Sequence, residues 1–231
     1  MAGQYSRVAV AICISLPVAA ASAQQPFQVG ETLQYDVRLG VLPAGTATIR
    51  MVRTDLDRGA QVYVFTMSGE SRTRALSASH AMTSWVGSAD FTSRRFHRRS
   101  TLAGRTTDET FRIVADSQRY RLEGTAQDWR TPAHPLDELA LLYYLRTLPL
   151  KPGDNRLLRG YFKNGWNPVR VQVTGRESVT LGSGRTVTCL ALRITAAGAV
   201  SEIWLSDDPR RIPAQLRLPL SVGRVKLVLA G

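Results

Sequence analysis

The 231-residue chain is poor in cysteine, histidine and lysine, with two, three and three of each. Cys13 and Cys189 cannot build a disulfide framework, which excludes a stapled miniprotein. His80, His97 and His134 stand 17 and 37 residues apart. No His-x-x-x-His or Cys-x-x-Cys spacing occurs, so no metal motif is present, and no cofactor is expected. Apolar runs never reach the roughly 18 residues that a spanning helix needs. There is no glycine-rich phosphate loop and no repeat of 20–50 residues. Gly182-Ser183-Gly184 lacks the spacing of a nucleophile elbow and falls between two strand patterns, where a turn belongs. No catalytic constellation is expected, and an integral membrane protein of helical type is not.

The chain has an ordinary globular composition with an unusual charge. Hydrophobic residues make up 44% and charged residues 21%, and the net charge is +12. Only Lys151, Lys163 and Lys226 are lysine, and every other basic residue is arginine. The first 23 residues read as a Sec-type signal peptide. Arg7 precedes the apolar run 8–20, and Ala21-Ser22-Ala23 offers cleavage after Ala23. Export to the periplasm is expected, with residues 24–231 forming one β-rich domain. In that compartment the positive charge suits anionic envelope components rather than nucleic acid. Cys189 then stands alone, and its alternation with Val187 and Ala191 predicts a packed thiol.

Strand signals dominate the chain beyond the leader. Leu33, Tyr35, Val37 and Leu39 alternate with polar residues, as do Ala47, Ile49 and Met51, with Pro43-Ala44-Gly45 expected to turn the chain between them. Residues 61–67 are apolar on both faces, as in a central strand. Residues 72–80 suggest a short helix. Strands are expected over 82–86, 95–102, 107–114 and 119–124, and again from 157 to the C-terminus. Asn164-Gly165 is the strongest hairpin signal. One helix interrupts the pattern: Pro135, Asp137 and Glu138 open it, residues 139–146 continue it, and Pro149 lies just beyond. It is apolar nearly all round and therefore needs cover on several sides. The expected fold is mainly β: a strongly curved antiparallel sheet or open β-barrel of about a dozen strands packed around one buried α-helix.

Three segments resemble the exported Gram-negative family called domain of unknown function 3108. Residues 27–37, with Gly30-Glu31 and Tyr35 followed by Ala44-Gly45, are similar to its opening motif. Residues 139–146 with Leu150-Lys151-Pro152-Gly153-Asp154 are similar to its helix and turn. Ile203-Trp204-Leu205-Ser206-Asp207-Asp208 through Ile212-Pro213 is similar to its closing strand pair. The resemblance implies a periplasmic, mostly β domain and brings no agreed activity or catalytic residues.

The expected function is non-catalytic binding or carriage of an apolar or amphiphilic envelope ligand, a lipid for example. The helix would line a cavity through Tyr143, Tyr144 and Arg146, with Trp85 and Trp204, and Trp166 beside them, in the same space. A second reading is a structural or interaction protein that meets an envelope protein through a basic face. The run Arg94, Arg95, Arg98 and Arg99 places charge on both faces of a strand. That suits a guarded edge strand, or an anion patch for lipid head groups. A third reading is an envelope hydrolase whose acids or histidines converge only in space.

Overall fold

The computed structural model describes residues 25–71, 78–220 and 223–231. The leader and most of the short helix expected over 72–80 lie outside the described residues. Ala78, Ser79 and His80 open a strand instead.

The described residues form one antiparallel sheet of fourteen strands. These are β1 (Thr32–Leu39), β2 (Leu42–Asp57), β3 (Ala60–Ser71), β4 (Ala78–Gly87), β5 (Ser93–Leu102), β6 (Arg105–Val114), β7 (Arg119–Leu122) and β8 (Asp128–Arg130), then β9 (Asn155–Leu158), β10 (Val169–Thr180), β11 (Thr186–Ala196), β12 (Ala199–Ser206), β13 (Pro213–Leu220) and β14 (Gly223–Leu229). Helix α1 (Glu138–Thr147) lies between β8 and β9. The order β8-β7-β6-β5-β4-β3-β2-β1-β14-β13-β12-β11-β10-β9 is two meanders joined where β1 pairs with β14. The sheet does not close. Its edges are β8 and β9, and the chain between them carries the helix.

Alternation in the sequence becomes two faces. Leu33 and Tyr35 of β1 and Ala47, Ile49 and Met51 of β2 are buried, while Thr32, Gln34 and Asp36 are exposed. Tight hairpins join neighbours. Arg58-Gly59, Ala103-Gly104 and Ala197-Gly198 all have positive φ at both central residues, the twist-matched type I′ geometry. Two turn expectations are corrected. The chain reverses at Gly40-Val41, not at Pro43-Ala44-Gly45, because Leu39 already pairs with Leu42. Gly45 lies within β2 at φ +152, where a Cβ would overlap the Glu70 carbonyl. Asn164-Gly165 forms a short 3-10 turn rather than a hairpin. The hairpin pairs Leu158 with Val169, and residues 159–168 loop out so that Tyr161 and Phe162 are buried.

Helix α1 packs chiefly on β3 and β4. Asp137 caps it, accepting from the backbone N–H of Leu139 and Ala140 at 3.0 Å each. Arg146 is in its last turn. Leu139, Ala140, Leu142, Tyr143, Leu145 and Arg146 are all buried, which is the many-sided cover the sequence requires.

Candidate functional site

The turns β1–β2, β5–β6 and β11–β12 lie at one end of the barrel, and β2–β3, β4–β5, β10–β11 and β12–β13 at the other, as antiparallel order demands. The second end is filled. Phe27 packs edge-on against Phe65 (5.4 Å) and Tyr143 (5.1 Å), and Phe65 stacks on Tyr143 at 3.8 Å. The first end is hollow.

A cavity of about 520 Å³ occupies the first end, between α1 and the sheet. This is several times the roughly 150 Å³ that accommodates benzene in an engineered core. Its wall is largely apolar: Val37, Leu39, Met67, Met82, Ile203 and Leu218 from the strands, and Leu139, Leu141, Leu142 and Leu145 from the helix. Helical periodicity sorts the two sides of α1: Glu138, Leu141, Leu142 and Leu145 border the hollow, while Tyr143 and Arg146 join the aromatic end. The wall reaches the rim at Leu102, Ala44 and Pro219. Met67, Met82 and Leu218 are only half-buried, so the space is open to solvent.

One strip of this wall is polar. Arg98 Nε donates to Glu109 Oε2 at 2.6 Å, and its Nη1 lies 3.6 Å from Glu138 Oε1. The Tyr161 hydroxyl donates to Glu138 Oε1 at 2.9 Å. Burial, with the Glu138 charge adding to it, raises the Tyr161 pKa. His80 Nδ1 and Ser100 Oγ meet at 2.5 Å across β4 and β5. Burial first, and the Arg98 charge second, hold His80 below its ordinary pKa, so it is neutral at pH 7.

The five residues expected to line a cavity stand elsewhere. Tyr143 and Arg146 face the aromatic end, and Tyr144 lies 5.7 Å from Phe91. Trp85 is on the outer face of β4 beneath the Arg95 guanidinium, 5.0 Å away. Trp204 is opposite the cavity-lining Ile203, with its Nε1 donating to Glu177 Oε2 at 2.7 Å. Trp166 is 43% exposed beside Tyr161. The strand residues that do line it carried no signal beyond alternation, which marks a core wall and a cavity wall alike, and the helix leucines were marked only by a helix apolar nearly all round.

The four arginines do not form one patch, and β5 is no edge, since β4 and β6 flank it. A register shift opposite Trp85/Val86 sets Arg94 outside the alternation. Arg98 turns into the cavity, Arg95 lies 3.6 Å from Glu123, and Arg99 lies 3.8 Å from Asp108. Arg94 lies 3.5 Å from Asp90. Cys189 is buried, as expected, and burial with Asp208, Asp207 and Glu177 nearby pushes its thiol up to about 11. Among the described residues no cluster of three or more His, Cys, Asp or Glu could hold a metal. Among them, too, no helix is long and apolar enough to cross a membrane.

The three family-like segments, far apart in sequence, meet at the filled end. Arg146 grips Glu31 with both nitrogens, Nη1 to Oε1 at 2.6 Å and Nη2 to Oε2 at 2.9 Å. Its Nη2 also donates to the carbonyls of Pro26 and Arg210. The Tyr35 hydroxyl donates to the Pro213 carbonyl at 2.8 Å. Ser206 Oγ accepts from the Ile212 N–H at 2.8 Å, closing the turn before β13. With side chains 1% and 4% exposed, the Arg146–Glu31 pair ties the first strand, the helix end and the β12–β13 turn together. It is a latch, and it leaves the cavity untouched.

Fold and site thus define an open antiparallel β-barrel with an internal helix and an apolar pocket at one end. The chain belongs to the family described as "Protein of unknown function (DUF3108)", whose match covers residues 34–230. No curated protein and no solved structure matches it.

Proposed function

We propose that the protein is an exported, non-catalytic carrier that holds an apolar or amphiphilic envelope ligand in the periplasm. The observation that carries this is the cavity of about 520 Å³ between α1 and the sheet. Its size falls in the ordinary range of ligand sites, and a few polar groups stand in an apolar wall, as binding pockets have them. The strip of Arg98, Glu138, Tyr161 and His80 would meet the polar end of an amphiphile, and the leucines and methionines its apolar part. Native mass spectrometry of the purified protein, with titration of 1-N-phenylnaphthylamine fluorescence, tests it. The expected result is a co-purifying lipid or saturable probe binding, weakened about tenfold or more by Leu142→Trp or Met82→Trp. No bound lipid together with no saturable binding would sink it.

A second reading is favoured by one contact, His80 with Ser100 in the cavity wall. A neutral histidine beside a hydroxyl is the start of an acyl-transfer site. Against it, among the described residues no carboxylate holds the other His80 ring nitrogen, and the pair sits in a regular cross-strand register. Hydrolysis of p-nitrophenyl esters that disappears in Ser100→Ala would favour this reading over carriage.

A further inference from the structure

Exposed apolar side chains stand at the rim of the cavity. Val41 is 88% exposed and Leu42 66%, both at the Gly40-Val41 reversal between β1 and β2. Leu102, at the end of β5, lines the cavity and is still 38% exposed. Just below this rim, on the outer surface, cations line up across three neighbouring strands. Arg38 of β1 pairs with Lys226 of β14, which pairs with Arg217 of β13. Arg224 stands one step nearer the rim, and Arg105 pairs with Leu102. Among the described residues no acid forms an ion pair with Arg38, Arg105, Arg224 or Lys226, and Arg217 shares Glu202 with Arg193. Burial, then the charges of Arg217 and Arg38, depress the Lys226 pKa, a sign of cations held against their own repulsion. Among the described residues the exposed acids toward this end include Glu70 on β3, which borders the cavity, and Asp108 on β6, both outside the β1–β14–β13 face, while Asp36 on β1 lies two residues below Arg38.

We propose that this open end docks on an anionic lipid membrane, with Val41, Leu42 and Leu102 entering the interface and Arg38, Arg105, Arg224 and Lys226 meeting the head groups. The dimensions agree. Arg38 pairs with Pro43, one step below the Leu39–Leu42 pair that closes the reversal, so Val41 stands about two strand steps, roughly 7 Å, above it. Interfacial apolar groups enter roughly 5–10 Å, which leaves that cation at head-group depth. Each cation near such a surface adds attraction that falls away within a Debye length. An apolar patch that stays exposed in a monomer marks an interaction surface, and here it is continuous with a hollow that opens in the same direction. The inference rests on the carrier reading for its purpose, because a ligand that moves directly between bilayer and cavity keeps its methylenes out of water.

The experiment is flotation of the purified protein with vesicles of phosphatidylglycerol and phosphatidylethanolamine at a 3:7 ratio, against pure phosphatidylcholine vesicles. Binding to the anionic vesicles is expected, falling with salt and much weaker on phosphatidylcholine. Val41→Asp with Leu42→Asp, and separately Arg38→Glu with Lys226→Glu, should each lower binding about tenfold or more. These side chains are at the surface, and unchanged far-ultraviolet circular dichroism, thermal midpoint and probe uptake from solution would show each variant folded. Leu142→Trp should lose probe uptake and keep vesicle binding, which separates the cavity from the surface. The proposal is overturned by wild-type protein that does not float, that binds both vesicle types alike, or whose folded rim variants bind as well as it does. That last result would assign the rim to a protein partner.

Discussion

Asp137 is fully buried and does two things at once. One carboxylate oxygen caps α1, and the other accepts from the hydroxyls of Ser84 at 2.6 Å and Ser93 at 2.8 Å. Burial raises its pKa to about 7, against the pull of these donors. An acid raised in the folded state binds its proton more tightly there than in the unfolded chain. Its contribution to stability is therefore complete below about pH 4 and is lost as pH rises through 7. The thermal midpoint should fall by about two degrees between pH 6.5 and 8.5, the last part of a larger fall that starts near pH 4, and Asp137→Asn, which keeps a good cap, should flatten that slope. His80 acts in the opposite sense, since its pKa is lowered and its contribution is lost on acidification. Its window lies below about pH 6.5, outside the interval measured. A wild-type midpoint that stays level across the interval would contradict the assignment. The sequence identified Asp137 as an acid suited to the start of a helix. That its partners are serines on β4 and β5 depended on the sheet wrapping around that point.

Helix α1 is one element with two environments. Tyr143 is fully buried against Phe27 and Phe65, whereas Leu141 is half-buried on the edge of the hollow. Truncating the first leaves a void among packed neighbours, and truncating the second only enlarges a space that already exists. Tyr143→Ala should cost about 3–5 kcal/mol and Leu141→Ala less than about 1 kcal/mol, read from urea midpoints at constant m-value. Equal costs would mean that the hollow is filled. The limits of reading elements from sequence show here too. The helix was plain from its acids, its prolines and its apolar run, but not which side met the cavity, because a helix apolar all round has no stripe to orient it. Asn164-Gly165 has the chemistry of a hairpin, yet the chain loops wider because burying Tyr161 and Phe162 against Leu136 and Phe111 outweighs a tight turn. Charge on both faces of β5 suggested an edge. It is accounted for by a register shift at Arg94 and by an arginine admitted to a cavity with its own acids.

At the scale of the whole molecule the sheet has two unequal ends of its strand order. β8 is three residues long, exposed along its length and paired on one side only, whereas β1, β2 and β14 lie mid-sheet, with the start of β1 tied to α1 through Glu31 and Arg146. Local opening tracks buried contacts and paired edges. Hydrogen exchange should therefore be fastest in β8 and β7, and slowest in β1, β2 and β14. Early exchange across β1 and β14 would show instead that the two meanders part at their β1–β14 seam before the edge strands open. The sequence by itself determined that the protein is strand-built, that one greasy helix must be enclosed, and which residues alternate, because side-chain period and turn chemistry are local properties. Only the tertiary structure decided that the enclosure is half filled and half hollow. Filling depends on how Phe27, the rings of Tyr63 and Phe65 on β3, Phe91 and the helix share one space. No local pattern distinguishes a side chain that touches a neighbour from one that faces a void.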